Sequence, residues 1–152
     1  MPVQLIAPIY EVFTLDRTDT KYGNTGEPTV ITVKQAREHE HITRQRLYAK
    51  LERKWSSEDD PDDIRLIQEV CQEEVRREEA YLTLVDCNLL DPEGKLLFKS
   101  SKSKNDDHPR LVMDKQAFYQ AWGLLFPDIA QEIIEKIHEV NPQWAGPLGE
   151  AG

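Results

Sequence analysis

Few residues in this chain have the type and spacing to do chemistry. Glu38-His39-Glu40-His41 has the composition of a metal site. On a helix, however, His39 and His41 stand about 200° apart, so they face opposite ways and do not share an ion. On a strand they would share a face, but no third ligand is evident, and a solvated helical stretch is the stronger reading. Asp59, Asp60, Asp62 and Asp63 suggest calcium. An EF-hand loop counted from Asp59 would need glycine and glutamate where Ile64 and Val70 stand, so that reading fails. Acidic loading of a helix start explains the run better.

Nucleophilic chemistry fares no better. The chain has no nucleophile elbow, phosphate-cradling glycine loop, HExxH or CxxC. His108 and His138 stand alone in sequence. Cys71 and Cys87 fall on apolar faces and read as core thiols. Placed together on one helix, they would be about 24 Å apart, far beyond disulfide reach. A non-enzymatic protein is therefore expected, with no catalytic, metal or cofactor residues, in a reducing compartment.

Charge narrows the partners. The net charge is −9 over 152 residues. It is uneven: residues 1–57 hold nine Lys/Arg and seven Asp/Glu, and the remainder ten and 21. An acidic body makes nucleic acid an unlikely partner, because phosphate contacts dominate that affinity. A basic helical face carrying Lys34, Arg37, Arg44, Arg46, Lys50, Arg53 and Lys54, with Tyr48 and Trp55, is the one candidate for it. Glu38, Glu40 and Glu52 dilute that face. A solvated surface, or a seam against the acidic half of a neighbouring copy, is favoured. No apolar run approaches the length needed to span a bilayer, and MPVQLIAPIY lacks the features of a secretion signal.

The elements that would position these groups are mostly helical. Met113–Trp144 reads as two short amphipathic helices joined at Pro127. Asp114 is an N-cap, with Met113 and Phe118 at the positions of a hydrophobic staple. Phe118, Trp122 and Leu125 share a face, and Ile129, Ile133, Ile137 and Val140 make a second stripe. Asp128 and Gln131 have capping-box spacing, and Asn141-Pro142 ends the pattern. Upstream, Ile9–Leu15 and Pro28–Val33 are strand candidates forming a hairpin around a long loop with Gly23, Asn24 and Gly26. Lys34–Trp55 is helical, with Ala36, Thr43, Leu47, Leu51 and Trp55 in one stripe. After the polar linker Ser56–Asp63, the longest helix is expected from Asp63 to about Leu90. Its middle, EEVRREE, reads as solvated. Tyr81–Val85 would also pass as a buried strand; length favours helix. Asp91-Pro92-Glu93-Gly94 is a turn, followed by a short extended KLLF.

The expected fold is thus mainly α: a small helical domain of four to five helices with an N-terminal β-hairpin. The hairpin, residues 1–33, forms an arm. Residues 34–144 form the helical domain, with a mobile loop at 99–110, and residues 145–152 a flexible tail. Tyr119, Trp122, Phe126 and Trp144 have two readings: they close the core, or they line a groove for a partner segment.

LTLVDCNLLDPEGKLLF, a polar loop, then FYQAWGLLFPDIAQEIIEKIHEVNPQW resembles the C-terminal half of tail assembly chaperones of long-tailed, siphovirus-type bacteriophages. The shared features are a helix ending in a D-x-x-G-K turn (Asp91, Gly94, Lys95), a variable loop, an F-Y-x-A-W helix and a closing helix, over residues 81–144. The resemblance implies a helical protein of the host cytoplasm that coats and solubilises the tape measure protein and helps recruit tail tube subunits. Partner contacts would then fall on Tyr119, Trp122, Phe126, Ile133, Ile137 and Trp144. The chain could also self-associate. Alternatives are a virion structural part, such as a tail or head–tail adaptor, and an acidic inhibitory or regulatory protein.

Overall fold

The computed structural model describes residues 2–6, 8–22, 27–56, 60–101 and 109–145. The Gly23–Gly26 turn cluster, the middle of the Ser56–Asp63 linker, most of the 99–110 loop and nearly all of the 145–152 tail lie outside them. The fold is mainly α, with five helices and a three-stranded antiparallel sheet among the described residues.

β1 (Tyr10–Thr14) pairs with β2 (Val30–Lys34), register Val12 to Thr32, as the β-branched runs require. The hairpin does not stand apart as an arm. β2 is the middle strand, bonded on its other side to β3 (Leu84–Cys87), with Ile31 opposite Cys87. Ile31 and Val33 are fully buried. A two-stranded hairpin is marginal alone, and the third strand supplies both hydrogen bonds and an apolar face.

That third strand corrects the expectation of one helix running to Leu90. α3 (Pro61–Thr83) stops at Leu84, which turns to extended geometry, and the chain continues as β3. Tyr81–Cys87 suits either state locally; the open edge of β2 decides it. Cys71 therefore lies on a helix and Cys87 on a strand, both buried. The loop after β1 is also shorter than expected, because Asp16–Tyr22 forms α1. Its sequence has no apolar stripe. Glu132 reaches in from the far end of the chain instead, accepting from the Thr18 amide (3.1 Å) and hydroxyl (2.7 Å). A donated carboxylate on first-turn amides does what a local cap would do.

α2 (Glu38–Ser56) starts four residues later than expected, since Lys34 completes β2. It runs antiparallel to α3, closing a small apolar seam of Leu51, Cys71 and Val75 with Leu47, Tyr48 and Ile67. Thr43 is exposed rather than in that seam, and the side chain of Trp55 lies outside the described residues. At the turn after β3, Asp91 Oδ1 accepts from Glu93 and Lys95 amides, and Gly94 takes φ +83°. Left-handed backbone favours glycine at this position. KLLF contributes one bridge, Leu90 to Leu96. The ends of the 99–110 loop pair as β4 (Ser100–Ser101) and β5 (Arg110–Leu111).

The closing pair is as the caps imply. Asp114 accepts from the Ala117 amide at 2.7 Å and opens α4 (Lys115–Trp122). α5 (Pro127–Val140) starts one residue before Asp128, with Pro127 at its first position, and Phe126 precedes it without a side-chain cap. Asp128 does not cap this helix. Pro142–Trp144 forms a 3₁₀ turn that drops Trp144 into the core beside Phe118, Ile133 and Ile137.

Candidate functional site

The densest polar constellation lies where α2, α3, α5 and the 3₁₀ turn meet. EEVRREE was expected to be solvated; its last two carboxylates, Glu78 and Glu79, are instead fully buried. Glu79 Oε2 accepts from Arg44 Nε at 2.6 Å. Glu79 Oε1 lies 2.8 Å from His138 Nε2, and both carboxylate oxygens lie 3.2 Å from Arg76 Nη1. Arg76 also donates to the Trp144 carbonyl at 3.1 Å. Trp144 Nε1 donates to His41 Nδ1 at 3.0 Å, and the Arg44 guanidinium stacks 5.5 Å from the Trp144 ring centroid. His138, isolated in sequence, is therefore held in space, and His41 serves as an acceptor rather than a ligand.

Burial pushes the Glu79 carboxyl upward. The His138 hydrogen bond and the Arg76 and Arg44 charges outweigh it, so the group sits below its ordinary range. A carboxylate so held is a poor base. It is also out of solvent.

Glu78 faces the other way. Lys115 Nζ donates to it at 2.8 Å, and the Tyr119 hydroxyl makes a short hydrogen bond. Arg77 stacks on the Tyr119 ring at 3.7 Å. Burial, then the bond to Glu78 and its charge, push the Tyr119 hydroxyl up, so it stays a proton donor. The two adjacent carboxylates bind α3 to opposite neighbours: Glu79 to α2 and α5, Glu78 to α4. This is a clamp for helices.

The six residues considered for partner contact divide sharply. Ile133, Ile137 and Trp144 are core residues with no open surface, and Trp122 is nearly as buried. Tyr119 is half-buried and occupied by Glu78 and Arg77. Of the six, Phe126 is the one lying mostly at the surface, 56% exposed, and beside it Leu124 is 68% exposed. Both occupy the corner between α4 and α5. A second apolar stretch is Val3, Leu5, Ile6 and Ile9, exposed ahead of edge strand β1, with Val12 exposed on the strand itself. Among the described residues, no helix is long and apolar enough to cross a membrane, and no three His, Cys, Asp or Glu side chains group as a metal site.

Comparison with protein-family models, curated proteins and solved structures gives no match to this chain.

Proposed function

We propose that this protein is a tail assembly chaperone of a long-tailed bacteriophage, acting in the host cytoplasm. It would bind the tape measure protein, keep that apolar helical client soluble and help recruit tail tube subunits. The resemblance over residues 81–144 supports this reading. One structural observation carries it: Leu124 and Phe126 expose more than half of their surface at the α4–α5 corner, over a core already filled by Phe118, Trp122 and Ile133. Paired exposed apolar side chains on a rigid corner suit a knob-like grip on an amphipathic helix. Co-expression tests it. The tape measure protein should move to the soluble fraction with this chain present, and equal precipitation with and without it overturns the proposal.

A second reading, a structural part of the tail or head–tail junction, is favoured by the uncharged segment Pro2–Ile9 leading into edge strand β1. Such a segment can add to a neighbour's sheet in a ring. Mass spectrometry of purified particles separates the two, since a structural part is present in fixed copy number and a chaperone is absent.

A further inference from the structure

Among the described strands β1 lies at an edge of its sheet, and the hydrogen bonds on its inner side fix what the outer side presents. The Gln35 amide donates to the Ile9 carbonyl, and the Leu15 amide to the Thr29 carbonyl. Bonding in an antiparallel pair alternates along the strand, so Ile9, Glu11, Phe13 and Leu15 are the residues that bond to β2. The amides and carbonyls of Val12 and Thr14 therefore point away from β2. Val12 is 67% exposed. A row of outward backbone donors and acceptors is a template for another strand.

The side chains select which strand. Glu11 and Phe13 share a face with Val33 and Ile31, opposite them on β2, and α5 packs on that face. Lys136 of α5 lies 5.6 Å from the Phe13 ring centroid. It also holds Glu139 of its own helix at 3.6 Å. Glu11 is exposed. Consider a second β1 laid antiparallel on the first, with a two-fold axis at Val12. Glu11 then stands opposite Phe13 of the second copy, beside that copy's Lys136. Other axes fail. An axis at Glu11 opposes two carboxylates, and one at Phe13 brings the two Lys136 side chains together. An axis at Tyr10 sets Pro8, which has no amide, against Val12; one at Thr14 sets Asp16, the first residue of α1, there instead.

We propose that two copies of this chain pair through β1 about a two-fold axis at Val12, joining their three-stranded sheets into one. Val12 exchanges amide and carbonyl bonds with Val12 of the second copy. Glu11 of each copy meets Lys136 of the other, so the contact occurs twice, as an isologous interface requires. The axis stands perpendicular to the sheet and keeps both α5 helices on one face. α5 packs chiefly on β2. The two β2 strands are then three strand spacings apart, about 14 Å. Helices about 10–12 Å wide fit side by side there, with only long side chains between them. A net charge of −9 opposes association of two copies, and backbone bonds along an edge are attractive without adding charge. The dimer stands whether or not the chain is a tail chaperone.

The test is mass in solution by sedimentation equilibrium, with circular dichroism to verify folding. The parent chain should approach twice the monomer mass as its concentration rises. Val12→Pro removes an amide that β2 does not use, so the variant should stay folded while its dimer dissociation constant rises about tenfold or more. Glu11→Lys and Lys136→Glu should each weaken the dimer by opposing like charges across the axis. The variant carrying both changes should regain most of it, because the pair is restored with its signs exchanged. A parent that stays monomeric at every concentration, a folded Val12→Pro variant as dimeric as the parent, or a double variant no more dimeric than the single ones would each overturn the proposal.

Discussion

Arg44 Nε lies 2.6 Å from Glu79 Oε2, and this buried contact joins residues 35 positions apart in the chain. It fixes where α2 crosses α3, and through His138 and Arg76 it also fixes α5 and the Trp144 turn. Removing one partner of a buried pair leaves a charge without compensation. Glu79→Ala, which strands Arg44, Arg76 and His138 together, should cost about 3–5 kcal/mol. Arg44→Ala should cost less, because Arg76 and His138 still face the carboxylate. Urea unfolding of both variants measures this, and a Glu79→Ala midpoint equal to the parent's would show that the pair carries no net stability.

The same carboxylate sets an acid limit. Its folded pKa lies below the ordinary value of 4.5. The unfolded chain therefore takes up the proton first as pH falls, and the stability from Glu79 is complete above about pH 4.5 and lost through the folded pKa below it. Thermal midpoints across this window should fall less steeply for Glu79→Gln than for the parent. The alkaline side has the opposite sign. Burial pushes the Cys87 thiol up to about 12. Its contribution is complete below an ordinary thiol value of about 8.5, then declines as the unfolded chain ionises first. Cys87→Ala should flatten the loss between these limits, and native Cys87 should resist thiol reagents that label it at once in denaturant.

Much of this architecture was readable from local chemistry, and the misses share one cause. α4 and α5 are announced by Asp114, Pro127 and Asn141-Pro142, because caps and prolines act within a few residues. β3 was missed because Tyr81–Cys87 suits helix and strand alike, and β2, some fifty residues earlier, decides between them. α1 was missed because its N-terminal acceptor is Glu132, 114 positions away. Glu78 and Glu79 looked solvated because, apart from Arg76, their partners Arg44, Lys115, Tyr119 and His138 are remote in sequence. A signal was available: the stripe Cys71, Val75, Leu82 skips one turn, and the skipped turn is where Glu78 and Glu79 sit. A carboxylate in line with a buried stripe is a candidate for a buried pair.

Asn141 offers a sharper test of how the two ends of the chain are joined. Its side chain is fully buried. Oδ1 accepts from the Ala36 amide at 2.7 Å, while Nδ2 donates to the carbonyls of Lys34 (3.2 Å) and Ile137 (3.3 Å). It thus ties the exit of β2 to the end of α5. Asn141→Ala takes this partner from the Ala36 amide and the Lys34 carbonyl, while the Ile137 carbonyl keeps the backbone amide of residue 141, at a cost of about 1–3 kcal/mol. Asn141→Asp keeps the acceptor but loses both donated bonds and buries a charge, so it should destabilise more. Hydrogen exchange at the Ala36 amide should accelerate in the alanine variant ahead of amides in α3. Uniform acceleration would mean that the link is not local.

Client binding and folding should separate cleanly at the α4–α5 corner. Leu124 and Phe126 are mostly exposed, so Leu124→Asp/Phe126→Asp should change stability by only about 0.5 kcal/mol per site. Ile137 is fully buried a short distance along α5, and Ile137→Ala should cost about 2–5 kcal/mol. If the corner grips the tape measure protein, the double aspartate variant should be as stable as the parent yet fail to keep the client soluble. Ile137→Ala, studied at a temperature where it remains folded, should still protect it, because the gripping surface is intact. Solubility of the co-expressed client, read beside thermal midpoints of the purified variants, gives both quantities. A double aspartate variant that protects the client as well as the parent does would move the grip elsewhere, and the uncharged segment ahead of β1 would be the next surface to alter.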